Sequence, residues 1–222
     1  MRKIFYVTAL LIIFAAQICN AAPAEIDRTS ANFQARQSFT LTSVEGDKYS
    51  VCIVGEDEKI LEDWLWAQGD KIFSGNYSAY IGKENSATLT LQDAKLFADA
   101  YSAEDAQRIN VTQLDRDGFY RVKGKYGLPD LLVSKIQITG GGYFATKIFV
   151  VKDGRLQLVK FYDAKKLQDS RDTVSAPIAY RDDATIGVPW HTNAAPDAGS
   201  YVTAYMFDLD NLILSPAYTN KV

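Results

Sequence analysis

The turn Lys152-Asp153-Gly154 stands between two runs rich in β-branched and aromatic residues, 143–151 and 155–161. Asp-Gly between alternating apolar runs is a strong hairpin signal, because the tight turn that matches strand twist needs positive φ and these residues tolerate it. Such a chain must lay two neighbouring strands antiparallel. A third run, Leu131–Thr139, reaches the same pair through three consecutive glycines, Gly140, Gly141 and Gly142, so the sequence predicts an antiparallel meander at its centre.

Runs of the same texture recur at 38–44, 48–54, 77–82, 86–92 and 109–114, and residues 88–91 alternate polar and apolar as a half-buried strand does. Residues 93–109 are the one short helix the pattern allows. They are Ala-rich and can place Leu96, Phe97, Ala100 and Tyr101 on one face, the alternative being a loop over the sheet. Beyond Lys165 the chain is charged over 166–172 and punctuated by Pro177, Pro189 and Pro196, which predicts an irregular C-terminal extension. Within it, 201–207 alternates and 209–214 is apolar enough to pack back on the sheet. The expected fold is all-β and mainly antiparallel: a β-sandwich over 38–164, followed by the extension 165–222.

The start of the chain constrains location. Arg2 and Lys3 precede an apolar run, 4–18, and the small residues Ala21, Ala22 and Ala24, which is the three-part pattern of an export signal. The run is shorter than the roughly 20 residues a membrane helix needs, and no second run of that length follows, so no integral membrane segment is expected. With a signal over 1–21 and a flexible leader over 22–37, the protein is expected in the periplasm or outside the cell. Cys19 suggests a lipid anchor, against which stands the bulky Ile18 before it. Cleavage after Ala21 leaves Cys52 as the one thiol, so no internal disulfide can form. Losing the two basic residues of the signal takes the formal charge from −3 to −5, which disfavours nucleic acid and anionic membrane surfaces and favours a cationic partner, a solvated surface being the plainer reading.

Catalytic inventory is thin. The one histidine, His191, follows Pro189 and Trp190 with no nucleophile or carboxylate in a recognisable arrangement, and Cys52 alternates with Val51 and Ile53 in an apolar strand, the setting of a structural thiol. A Cys52 and His191 dyad is the enzyme alternative. Asp115, Asp117 and Gly118 sketch part of a calcium loop but lack the distal bidentate Glu, and Asp208 with Asp210 read as another turn. No metal and no cofactor is expected.

The most distinctive text is Gly127-Leu-Pro-Asp-Leu-Leu-Val133, then Ile138-Thr-Gly-Gly-Gly-Tyr-Phe144, then Ile148-Phe-Val-Val-Lys-Asp-Gly-Arg-Leu-Gln-Leu-Val159, preceded by Ala67-Gln-Gly-Asp70 and Gly75-Asn-Tyr-Ser-Ala-Tyr80. In this order the segments resemble the periplasmic inhibitors of invertebrate-type lysozyme, over roughly 61–161. The resemblance implies a β-sandwich whose glycine-rich loop enters the substrate cleft of a lysozyme or similar peptidoglycan hydrolase. It assigns Tyr143 as the anchor, Gly140, Gly141 and Gly142 as the loop, and Thr139 as the nearest hydroxyl, because Gly140 stands where that family has serine. Residues 119–128 are an insertion relative to the family, and the chain after Lys165 has no counterpart there. A literal Ser74-Gly75-Asn76-Tyr77 aligns with the earlier strand. The plainer alternative for the glycines is a tight strand connection, with Tyr143 a half-buried strand residue. The runner-up function is a binding module for another envelope protein, a glycan or a secreted effector, with Trp64, Trp66 or Trp190 lining a groove. The sequence does not set the oligomeric state.

Overall fold

The protein was analysed as a computed structural model that describes residues 24–61, 71–93, 96–97, 108–113, 118–139, 143–163, 165–174 and 176–222. Among them the chain forms strands and turns and no helix. The export signal expected over 1–21 lies outside the described residues.

A first sheet is built from β1 (Glu25–Asp27), β2 (Gln37–Thr42), β3 (Lys48–Leu61), β4 (Lys71–Lys83), β5 (Thr88–Leu91) and β6 (Arg108–Gln113), in the order β1-β5-β4-β3-β2 with β6 also on β4. A second contains β7 (Phe119–Val122), β8 (Leu131–Thr139), β9 (Tyr143–Lys152), β10 (Arg155–Asp163), β11 (Lys166–Gln168), β12 (Arg171–Val174), β13 (Ala179–Tyr180), β14 (Ile186–Thr192), β15 (Gly199–Asp208) and β16 (Ile213–Lys221). Its order is β13-β14-β15-β16-β10-β9-β8-β7, with β11 on β10 and β12 on β9. The pairings are antiparallel except β10 with β16, which meet in parallel at Lys160↔Ile213 and Phe161↔Leu214.

The central hairpin forms as expected. Leu156 pairs with Val151 across Asp153 and Gly154, whose φ values are both positive, 52° and 71°. Its strands, with β8, explain how the layers stack. Successive side chains of a strand point to opposite faces. Leu132, Phe149 and Val151 join Leu41, Val51, Ile53 and Ile81 in a core between the two sheets. Their neighbours Leu131, Val133, Ile148 and Val150 join Val159, Phe161, Ile186, Val188, Tyr205 and Leu214 in a second core inside the curled second sheet. β8 over 131–133 and β9 over 148–151 are therefore buried on both faces and read there as unbroken apolar runs, whereas β10 alternates buried and exposed positions.

That curl differs from the irregular extension the sequence predicts: residues 166–221 contribute β11 to β16. Of the prolines that suggested irregularity, Pro177 and Pro196 lie between strands, and Pro189 sits in β14 where a strand tolerates a missing N–H. β13 pairs only Ile186 and Gly187 of β14, leaving Pro189 beyond its end. Pro216 lies beside the register shift of β15 and β16, past the two residues that β10 pairs. Two smaller expectations also change. The leader contributes β1, paired with β5, and its Phe33 and Ala35 pack on Cys52, Tyr80 and Leu89. Of the helix expected at 93–109, Leu96 and Phe97 lie in a turn closed by Leu96 N–H to Asp93 O at 3.0 Å, and Arg108 and Ile109 begin β6. The rest of that segment lies outside the described residues. Phe97 fills the inter-sheet core, edge-on to Phe119 at 5.1 Å and to Phe149 at 5.4 Å.

A surface latch ties β16 to the turn before β14. The Asp183 carboxylate accepts hydrogen bonds from Thr185 N–H, Thr185 Oγ1 and Tyr218 OH, and these hold its pKa down to about 2. A depressed folded-state pKa means that the latch is complete above the ordinary carboxylate value and is lost as pH falls toward 2. The Tyr218 ring resonances are expected to shift between about pH 4 and 2 in NMR titrations, and Asp183→Asn is expected to abolish that transition.

Candidate functional site

The hairpin of β8 and β9 carries the loop that the sequence singles out. Thr139 pairs with Tyr143, with a register irregularity between Gln137 and Thr139, so these two residues close the tip. Both are placed as strand residues. Gly140, Gly141 and Gly142 lie outside the described residues, as do Ala67 to Asp70, Trp64, Trp66, Asp115 and Asp117.

The tip has a third supporting strand that the sequence reading did not include. β12 runs antiparallel along the part of β9 that β10 leaves unpaired, from Arg171↔Thr146 to Val174↔Tyr143. The pairing therefore reaches Tyr143 itself. Thr146 and Thr173 hydroxyls meet at 2.6 Å in the buried seam. Lys135 of β8, 6% exposed, donates to Val174 O and Ala176 O, each at 2.9 Å. Its ammonium also lies 5.3 Å from the Phe144 ring centroid and 5.7 Å from that of Tyr120. A buried cation aimed at backbone carbonyls pins the segment after β12 to the platform. Lys135→Met keeps the bulk and removes the donors, so it is expected to lower stability by about 2 kcal/mol, read as a lower urea midpoint. The signal for β12 was weak because Arg171-Asp172-Thr173-Val174 is short and half charged.

A cleft of about 730 Å³ opens between β12 and β14, lined by Asp163, Gln168, Asp169, Arg171, Trp190 and His191 among others. Trp190 is no bare aromatic face. Tyr201 of β15 stacks on it at 4.7 Å and 18°, and the Arg171 guanidinium of β12 lies 5.9 Å from its ring centroid. Its Nε1–H donates to Thr203 Oγ1 at 2.9 Å. Arg171 also pairs with Asp163 and hydrogen-bonds the buried Tyr205 phenol, whose pKa is raised by burial. Side chains thus hold the seam where β12 and β14 exchange no backbone ladder.

The other candidate residues are separated. Cys52 is buried with Tyr80 and Leu89 in the first sheet, its Sγ 3.4 Å from Ser38 Oγ. His191 lies on β14 of the second sheet, its ring nitrogens 3.1 Å from Ser200 Oγ and 2.9 Å from Asn193 Oδ1. The two do not meet. Asp208 caps the turn into β16, accepting from Asp210 N–H, Asn211 N–H and Asn211 Nδ2, which hold its carboxyl below the usual range. Among the described residues no three His, Cys, Asp or Glu side chains cluster to hold a metal ion, and no helix is long and apolar enough to cross a membrane. Tyr77, of the literal Ser-Gly-Asn-Tyr, is 3% exposed and donates its hydroxyl to Glu58 at 2.7 Å, which makes it a core residue of β4.

Comparison with protein families, with curated proteins and with solved structures finds no match to this chain.

Proposed function

We propose that this is an exported binding protein that inhibits a lysozyme or similar peptidoglycan hydrolase by inserting the tip of the β8–β9 hairpin into its active-site cleft. The observation that supports it is the pairing at the tip. Thr139 and Tyr143 pair at the ends of β8 and β9, β12 pairs with Tyr143 as well, and the same two strands are buried on both faces farther along, at 131–133 and 148–151. A stem strand paired on both edges as far as Tyr143 suits insertion, because the stem itself loses little ordering entropy on binding.

The chemistry follows from the target. Glycosidases place two carboxyl groups about the scissile bond. A loop without side-chain bulk can bring backbone N–H groups against them, and hydrogen bonds to a carboxylate are among the stronger ones. Tyr143 supplies an aromatic residue type with a polar end, and Thr139, its partner in the strand pairing, supplies a hydroxyl. The cleft at Trp190 supports a glycan-binding reading less well, because Tyr201 and Arg171 already flank that ring.

Clearing of a peptidoglycan suspension by lysozymes of several classes, followed by turbidity, tests the reading. Purified protein lacking residues 1–21 is expected to inhibit at least one class at micromolar concentration, competitively with substrate. No inhibition of any class at that concentration would remove it.

A further inference from the structure

A net negative chain hides a concentrated positive site. β2, the start of β3, the end of β7 and the loop after it enclose a cleft of about 470 Å³ lined by Lys48, Arg121, Lys123 and Lys125, with the backbone of Gly124 and Gly127 between them. The four cations come from two stretches of the chain, Lys48 and residues 121–125, and are all exposed. None of them pairs with a carboxylate among the described residues. The Arg121 guanidinium donates to the Thr40 carbonyl at 2.9 Å, an acceptor that leaves its charge unneutralised.

The one acid in the lining is engaged elsewhere. Asp130 is 5% exposed and accepts Thr42 N–H at 2.8 Å and Gly124 N–H at 2.6 Å. It shapes the floor, and its one negative charge does not balance the four cations around it. Tyr126, 59% exposed at φ 56°, stands at the rim with its hydroxyl 3.3 Å from Asp182. Four like charges around so small a space repel one another, and a multivalent anion relieves that repulsion. Three of the four are lysines, compact point charges that can meet the oxygens of a phosphate from several directions. The volume fits a small ligand.

We infer that this cleft is a binding site for clustered phosphate groups, presented either by a small soluble phosphate compound or by phospholipid headgroups. It lies on the β2–β7 side of the molecule and does not depend on the function proposed for the β8–β9 tip.

Inorganic tripolyphosphate, titrated by calorimetry at 50 mM and 300 mM salt, is the probe. Saturable binding near one equivalent is expected, at least tenfold weaker at the higher salt because the contacts are exposed. Lys123→Gln with Lys125→Gln is expected to weaken it at least tenfold without moving the unfolding midpoint. The control pair Lys165→Gln with Lys166→Gln, which removes the same charge elsewhere, is expected to change it less than twofold. Flotation with phosphatidylglycerol vesicles separates the two sources: binding to tripolyphosphate alone assigns a soluble compound, and binding to both assigns headgroups. No saturable tripolyphosphate binding, equal effects of the two variant pairs, or binding to vesicles alone would overturn the inference.

Discussion

Removal of residues 166–222 is expected to leave a chain with no cooperative unfolding transition. Val133, Ile148, Val150, Val159 and Phe161 are fully buried, and what covers them is Ile178, Ile186, Val188, Tyr205 and Leu214 from the C-terminal strands. Uncovering a large apolar side chain forfeits about 1.5–3 kcal/mol, so five of them amount to on the order of 10 kcal/mol. That is comparable to the whole stability of an ordinary domain, about 5–15 kcal/mol. The loss also strips β12 from β9 and the parallel partner from β10. Circular dichroism during urea titration reads the outcome, and a truncated protein that unfolds cooperatively near the full-length midpoint would show the C-terminal strands to be dispensable.

Asp130→Ala is expected to cost about 3 kcal/mol. Its carboxylate joins the end of β2 to the loop between β7 and β8 through two backbone N–H donors, and Asp130 N–H returns a bond to Thr42 O at 3.0 Å. Bonds to a charged acceptor are worth more than neutral ones, and both donors would be left without this partner. The neighbouring carbonyl, Pro129 O, accepts the buried Tyr180 hydroxyl at 2.7 Å, so the same short segment links the first sheet, the middle strands and β13. Asp130→Asn keeps one acceptor but turns an NH₂ toward the other donor, so it is expected to recover less than half of the loss. Urea midpoints at a single pH rank the three proteins, and a midpoint for Asp130→Ala within error of the parent would dismiss this linkage.

The middle strands were the most legible part of the sequence. Asp153-Gly154 has few conformational alternatives, and the apolar runs around it fixed type, partner and direction. The C-terminal strands were not, because proline and charge normally signal loops. Here Pro189 and Pro216 sit inside β14 and β16, paired with β15 on one edge and past the residues that β13 and β10 pair on the other, and β12 is carried by Arg171, Thr173 and Lys135 contacts that have no sequence period. β1 is too short to show alternation. The segments of the candidate tip were visible as a motif, but its support was not, since β12 pairs with β9 from 25 or more residues downstream in the chain. The basic cleft was invisible for a different reason: net charge averages over the molecule, and only the fold brings Lys48 beside Lys123 and Lys125.

The inhibition constant of Tyr143→Ala, measured against a lysozyme that the parent protein inhibits and set beside the unfolding midpoints of both, tests the role of the tip most directly. Tyr143 as a central anchor predicts at least a hundredfold weaker inhibition, about 2.7 kcal/mol, with an unchanged midpoint. An inhibition constant equal to that of the parent, at equal stability, would place the inhibitory surface away from the β8–β9 tip.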